Sequence, residues 1–235
     1  MVEKLPSTGS RPSASEIGCD TSDVLVIHNT FRHLYREAPR LVRGASEDGM
    51  RTAAVATHLS TVAVMLHHHH QAEDDTIWHK LESRVPACAV HVGQMKAQHR
   101  QIAQMLDRQD DAVASWQSSP DHQATERLSE VVNAIGGALG AHLGQEEEQI
   151  FPEIERTWTQ KEWDAAGAYA QKILGKALPV RTQLIYLGHV LDSQPPEMRR
   201  KFQREVLPAP LKLFWLVRGQ RLYRAHRLSL YGSPT

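Results

Sequence analysis

The sequence predicts an all-α fold: an antiparallel four-helix bundle followed by an additional helical C-terminal extension. Apolar residues recur at three- and four-residue steps over four long segments, and short links rich in Gly, Ser and Pro separate these segments. No sustained two-residue alternation bounded by Asn-Gly or Asp-Gly turns occurs, so strands are not expected.

Residues 1–21 are rich in Ser, Pro, Thr and Gly without periodicity and read as a disordered lead-in, ending where Ser22 or Asp23 caps a helix. In the first helix Val24, Ile27, His28, Phe31, Leu34 and Tyr35 share one face, Pro39 is a late kink and Gly44 a stop. A second runs from about Glu47 to Arg84, with Val55, His58, Leu59, Val62, Leu66, His69, Glu73, Ile77 and Leu81 in helical period, and Pro86 ends it. The third, about Ala87 to Trp116, carries Val92, Met95, His99, Ile102 and Leu106 on one side before Ser118-Ser119-Pro120. Asp121 then caps a fourth that holds Leu128, Val132, Ile135, Leu139, His142, Ile150 and Ile154. Together these four make one bundle over residues 22–156.

Residues 160–235 differ in composition and read as a basic helical C-terminal extension. Its positions 181–235 hold ten Lys or Arg against three acids, whereas the preceding 180 residues are acidic by the same margin. Leu211, Leu213, Phe214, Trp215, Leu216 and Val217 precede Arg218, Arg221, Arg224 and Arg227 in what reads as one helix. Such a stripe either docks on the acidic bundle, the favoured reading, or contacts an anionic membrane or a partner protein. With only His189 and His226, this segment is expected to hold little of the site chemistry.

Lys+Arg and Asp+Glu both total 27, which gives no overall attraction to nucleic acid, and no nucleic-acid partner is expected. Two cysteines, Cys19 and Cys88, make no disulfide framework. With no apolar leader and no run of 18 apolar residues, the expected location is the cytoplasm.

Histidine carries the chemistry. Of 14 histidines, 12 precede residue 150, and His28, His69, His99 and His142 each fall on the apolar face of a different helix. His69 precedes Glu73, and His142 precedes Glu146, by four residues, a spacing that stacks both side chains on one face. The frames repeat: His69-x-x-x-Glu73-Asp74-x-x-Ile77-Trp78 matches His142-x-x-x-Glu146-Glu147-x-x-Ile150-Phe151. Two such pairs, with His28 and His99, can converge in a bundle core around two metal ions. Imidazole and carboxylate donors suit iron, manganese or zinc, and the absence of Cys among them argues against a closed structural zinc site.

The run His67 to His70 spans about 300° of helix, so its members cannot all face the core. His69 is the first choice from the frame, and His70, three residues before Glu73, is the second ligand candidate. The acid runs 73–75 and 146–148 read mostly as a solvated face, and His58 as an ordinary core histidine.

At these residues the chain resembles the hemerythrin-like, HHE cation-binding family. The resemblance covers about residues 22–156 and rests on Ile27-His28, the His69/Glu73 frame, Gln98-His99, and the His142/Glu146 frame with Phe151-Pro152. The chain also looks like actinobacterial-style members whose second helix reads His-His-x-x-Glu-Asp, here His69 to Asp74, and whose basic extensions are similar to the tail with Trp215 and Gly219. The resemblance implies a non-haem di-iron centre, two Fe ions rather than Mn or Zn, with His28, His69, His99 and His142 as nitrogen donors and Glu73 and Glu146 bridging. Glu147 is an alternative to Glu146, because some members of the family use a five-residue spacing.

One departure bears on mechanism. Oxygen-carrying members have two histidines four apart on the third helix, whereas the neighbours of His99 at that spacing are Met95 and Ala103. Unless His70 or a further acid fills the position, sites stay open, which favours redox reaction with O2, peroxide or nitric oxide over reversible storage. The competing expectations are a di-iron oxygenase acting on an organic substrate, which needs a pocket beside the metals, and an O2-, iron- or redox-sensing module.

Overall fold

The computed structural model describes residues 17–45, 48–205, 207 and 209–232. Residues 1–16 of the expected lead-in and Glu47 lie outside the described residues. The architecture is all-α, with a core of four joined helices and further helices C-terminal to them.

The first helix, α1 (Ser22–Ala45), tolerates Pro39 in its interior and buries Val26, His28, Phe31, Leu34 and Tyr35. Next, α2 (Gly49–Thr76) starts where the Asp48 carboxylate accepts the amides of Met50 and Arg51, which satisfies two of the free N–H groups of its first turn. The second helix does not run unbroken to Arg84 as its periodicity suggests. The chain turns at Ile77 and restarts as α3 (Trp78–Arg84), then passes through a 3₁₀ turn at Pro86–Cys88 into α4 (Ala89–Ser118). Asp121 accepts from the Ala124 amide at 2.7 Å and caps α5 (His122–Gln145) as expected.

After α5 a π turn (Glu146–Ile150) inserts before α6 (Phe151–Thr157). Both His/Glu frames therefore break helical regularity between their acids and their aromatic residue. π turns are frequent at functional sites because the extra residue re-aims side chains.

In the bundle α1 neighbours α2 and α5, while α4 neighbours the same two, so the frame-bearing α2 and α5 are diagonally opposed. Phe31, Leu34, Leu59, Leu66, Ile102, Leu128 and Ile135 form the main core. A second cluster of Ile77, Trp78, Leu81, Met95, Ile150, Phe151, Ile154, Trp158 and Trp163 closes the other end. The histidines lie between these two apolar masses.

A capping box at Thr159 and Glu162 opens α7 (Gln160–Ala177), which packs along α2. At the chain start Gly18 pairs with Thr159 and donates to the Trp158 carbonyl at 2.8 Å. The later helices are α8 (Val180–Asp192), α9 (Pro196–Glu205), α10 (Ala209–Phe214) and, after a π turn at Trp215–Gly219, α11 (Gln220–Tyr231). The stretch read as one helix over 211–227 is thus interrupted at Trp215–Gly219.

The C-terminal segment docks on the bundle through α8 and α11, which lie against α1 and α2. Tyr186 and Leu230 enter the main core, so burial of apolar surface, more than charge complementarity, holds the contact. An ion pair between Lys201 and Asp20 at 3.5 Å adds to it at the surface. Leu213, Phe214, Leu216 and Val217 stay exposed. Among the described residues no helix is long and apolar enough to cross a membrane.

Candidate metal centre

Each of the four bundle helices brings histidine inward. Residues four apart on a helix share a face, and so His69 and Glu73 on α2 come together, with Nε2 3.4 Å from Oε1. His142 and Glu146 do the same at the end of α5, with Nε2 3.6 Å from Oε2. From α1, His28 presents Nε2 at 3.6 Å from the same Glu146 oxygen. From α4, His99 points Nε2 at Glu73 Oε2 (3.6 Å) and Glu146 Oε1 (3.8 Å) and lies 3.2 Å from His142 Nε2.

His70 is also buried inside. Its ring stacks on His99 at 4.2 Å and meets His142 edge-on at 5.0 Å. Within the run His67 is exposed and His68 is half-buried with Nδ1 3.0 Å from Gln71 Oε1, while both His69 and His70 serve the core. His70 brings a fifth imidazole to the position that α4, with Met95 and Ala103, does not fill.

The donors form two groups. His28, His69 and Glu73 bring one donor atom each to within 4.8 Å of one another, and so do His70, Glu73, His99 and His142. Glu73 belongs to both groups, and Glu146 stands within 3.8 Å of His28, His99 and His142.

Outer partners fix the rings. Glu147 accepts from His28 Nδ1 at 2.8 Å and is gripped by Arg32 at 2.7 and 3.1 Å. Asp74 accepts from His99 Nδ1 at 2.8 Å and from the Trp78 indole at 2.6 Å. Gln98 Oε1 accepts from His142 Nδ1 at 3.0 Å while its amide donates to Gln145. An Nδ1–H held by an acceptor leaves Nε2 as a lone pair facing inward, the arrangement in which imidazole binds metal. Glu147 is therefore an orienting group for His28 here, and Glu146 is the inward acid. The sequence places Asp74 in the first frame and Gln98 beside His99, but it assigns no orienting role to either or to Arg32, because what each reaches depends on the rotation of a neighbouring helix.

Electrostatics divide the carboxylates. Burial, and then the Glu146 charge, push Glu73 well above the ordinary carboxylate range. Burial also disfavours charge on Glu146, but His99, His142 and His28 bring it below its usual value. Burial opposes a charged His99, yet the carboxylates of Asp74, Glu146 and Glu73 outweigh it and raise the imidazole to about 10 without metal, so the Nε2 proton leaves when a metal binds. Burial holds His69 and His70 well down, and takes His142 to about 4 against the pull of Glu146.

The donor set fits a pair of cations. Nε2 of His28, His69 and His70, Oε2 of Glu73 and both oxygens of Glu146 are buried with no hydrogen-bond partner among the described residues. Leaving a buried polar group unpaired costs about 1–3 kcal/mol, and more for a charged one. Six such atoms around the two donor groups fit metal ions, which take lone pairs and neutralise carboxylates together.

A cavity of about 250 Å³ opens beside the centre between the bundle and α7, with His69, Glu73, Phe31, Met65, Ala72, Ile77 and Trp163 among its walls.

Compared with known proteins, residues 20–154 match the family model described as the Hemerythrin HHE cation binding domain. No curated protein and no solved structure matches the chain.

Proposed function

The chain belongs to the hemerythrin HHE cation-binding family, and on that premise we propose that His28, His69, His70, His99 and His142 hold two iron ions, with Glu73 and Glu146 shared between them, to react with O2, peroxide or nitric oxide. Its His/Glu cluster in a helical bundle matches a hemerythrin-type di-iron redox centre. The observation that carries the reading is the convergence of the unpartnered imidazole nitrogens and carboxylate oxygens between α2 and α5. Nitrogen and oxygen donors in this ratio suit iron. Zinc accepts the same donors but has no redox step to offer.

When bound, the iron pair supplies one-electron steps between ferrous and ferric states. The chain supplies the rest. Asp74, Gln98 and Glu147 keep three imidazoles in the tautomer that faces Nε2 inward. Phe31, Trp78 and Phe151 pack against His69, His99 and His28 at 5.4 to 5.6 Å and keep bulk water from the centre. Five imidazoles and two carboxylates would hold the ions, and the packed aromatic rings around them leave room for a small ligand. The His69-His70-x-x-Glu73-Asp74 frame and the basic tail support placing the chain with actinobacterial-style members, acting in the cytoplasm.

The test is to reduce iron-loaded protein without oxygen and then add O2 or peroxide while recording the optical spectrum. Oxidation to a ferric chromophore is expected. Repeated release of O2 on evacuation, with the ferrous spectrum restored, would mean a carrier instead.

One observation favours a second reading, oxidation of a small organic substrate: the apolar cavity reaches His69 and Glu73. Gly167 lines this cavity, and a Cβ there meets no atom within 4 Å. Gly167→Leu fills the space from α7. Under this reading it abolishes turnover of an organic substrate while iron content and peroxide reactivity stay unchanged. An unaltered substrate turnover would remove the cavity from the account.

A further inference from the structure

A second set of histidines meets where the C-terminal segment docks. His58 on α2, His189 on α8 and His226 on α11 each bring one ring nitrogen to within 4.8 Å of the other two. His58 Nδ1 lies 3.3 Å from His226 Nε2, and the three ring centroids are 5.1 to 5.4 Å apart. The hydroxyl of Tyr186 stands 2.8 Å from the same His58 nitrogen and donates to the His58 carbonyl at 3.1 Å. His189 Nε2 is buried with no hydrogen-bond partner among the described residues. Along α2, His58 is eleven residues before His69, about 16 Å, so this set is separate from the di-metal centre.

We propose that His58, His189 and His226 form a second metal site for one divalent cation of Zn²⁺ type, which ties α8 and α11 to the bundle. Three imidazoles without acid or thiolate select a borderline cation over Mg²⁺ or Ca²⁺, which demand oxygen. Zinc–nitrogen bonds of about 2.0–2.1 Å in a tetrahedron set the donors roughly 3.3–3.4 Å apart. The His58–His226 separation of 3.3 Å already has that length. Burial disfavours the charged form of all three rings, and a metal-bound imidazole is neutral. Tyr186 or water completes the fourth position. Arg227 raises the local potential at His189 but is paired with Asp192 at 2.9 Å. Asp192 in turn accepts from Tyr223 at 2.6 Å.

Nothing in the sequence marks the set, since His58 is 128 residues from Tyr186 and 168 from His226. The C-terminal segment, expected to hold little of the site chemistry, supplies two of the three rings. Its two histidines complete a site whose third member looked like a core residue.

The experiment uses the full chain, as wild type and as His226→Ala and His189→Gln. Iron-loaded protein is mixed with one equivalent of ZnCl2 and desalted, then its metals are counted and its melting followed with and without zinc. Wild type is expected to retain one zinc per chain in addition to its iron and to melt higher with zinc, since a ligand bound only to the folded state stabilises it. Both variants are expected to lose that zinc and the rise in melting temperature, with iron content unchanged. His226 is only half-buried, so its replacement decides the matter if His189→Gln does not fold. The reading is the difference between wild type and variant, which stands whatever metal the other centre holds. Zinc retained equally by the variants, or no zinc retained by wild type, overturns the proposal.

Discussion

Asp74 holds His99: the carboxylate Oδ1 lies 2.8 Å from Nδ1, one residue beyond the shared Glu73. The second frame repeats the relation, for Glu147, one residue beyond Glu146, holds His28 Nδ1 at the same distance. Each frame thus places an imidazole and a shared carboxylate in the core, and its next acid orients a histidine on a neighbouring helix. This accounts for two consecutive acids in both frames. The first acid faces inward, and the second reaches sideways.

Asp74→Asn replaces a charged acceptor of the His99 proton by a neutral amide. Loss of such an outer partner lowers metal affinity by about 10–100-fold, and iron titration of the variant is expected to fall in that range with the fold intact. Asp75→Asn is the control, because Asp75 bonds Tyr169 at the surface. Equal affinities for both variants and wild type would deny Asp74 its orienting role.

His70→Ala removes a donor from the group of His70, Glu73, His99 and His142, and one of the two irons is expected to be lost or to exchange readily with a chelator. His67→Ala should leave the iron count unchanged, since His67 is exposed and its ring meets that of His68. The reverse result would mean that the register of α2 was misassigned.

Acid is expected to loosen α7, which forms one wall of the cavity. Hydrogen bonds from Arg84, one of them 2.8 Å long, take Glu162 down to about 2 from 4.5, with Lys80 adding to the effect. A carboxyl depressed in the folded state contributes stability that is fully present above pH 4.5 and is lost as pH falls from there toward 2. The pair is partly solvated, so the contribution is about 1 kcal/mol or less. Glu162→Gln should lower stability at pH 7 by this amount and flatten the acid limb of the stability curve. An unchanged acid limb would place the pH dependence elsewhere.

The four bundle helices were legible because their apolar period is long and their caps, such as Asp121, are local. His28, His69, His99 and His142 were legible for the same reason, each falling on a buried face. His70 was legible only as a second candidate three residues before Glu73, because two adjacent helical residues lie about 100° apart and the local pattern does not tell whether both turn to the core. The breaks at Ile77 and at Glu146–Ile150 were missed, since the apolar pattern runs on through both. The His58, His189 and His226 set depends wholly on how α8 and α11 dock, a matter of tertiary packing that no local pattern encodes.

In the proposed centre two iron ions share Glu73. Iron is counted per chain in wild type and in Glu73→Ala, because Glu73 belongs to both donor groups. Two irons per chain are expected in wild type, and loss of both in the variant. One iron in wild type, or two retained by Glu73→Ala, would contradict the account.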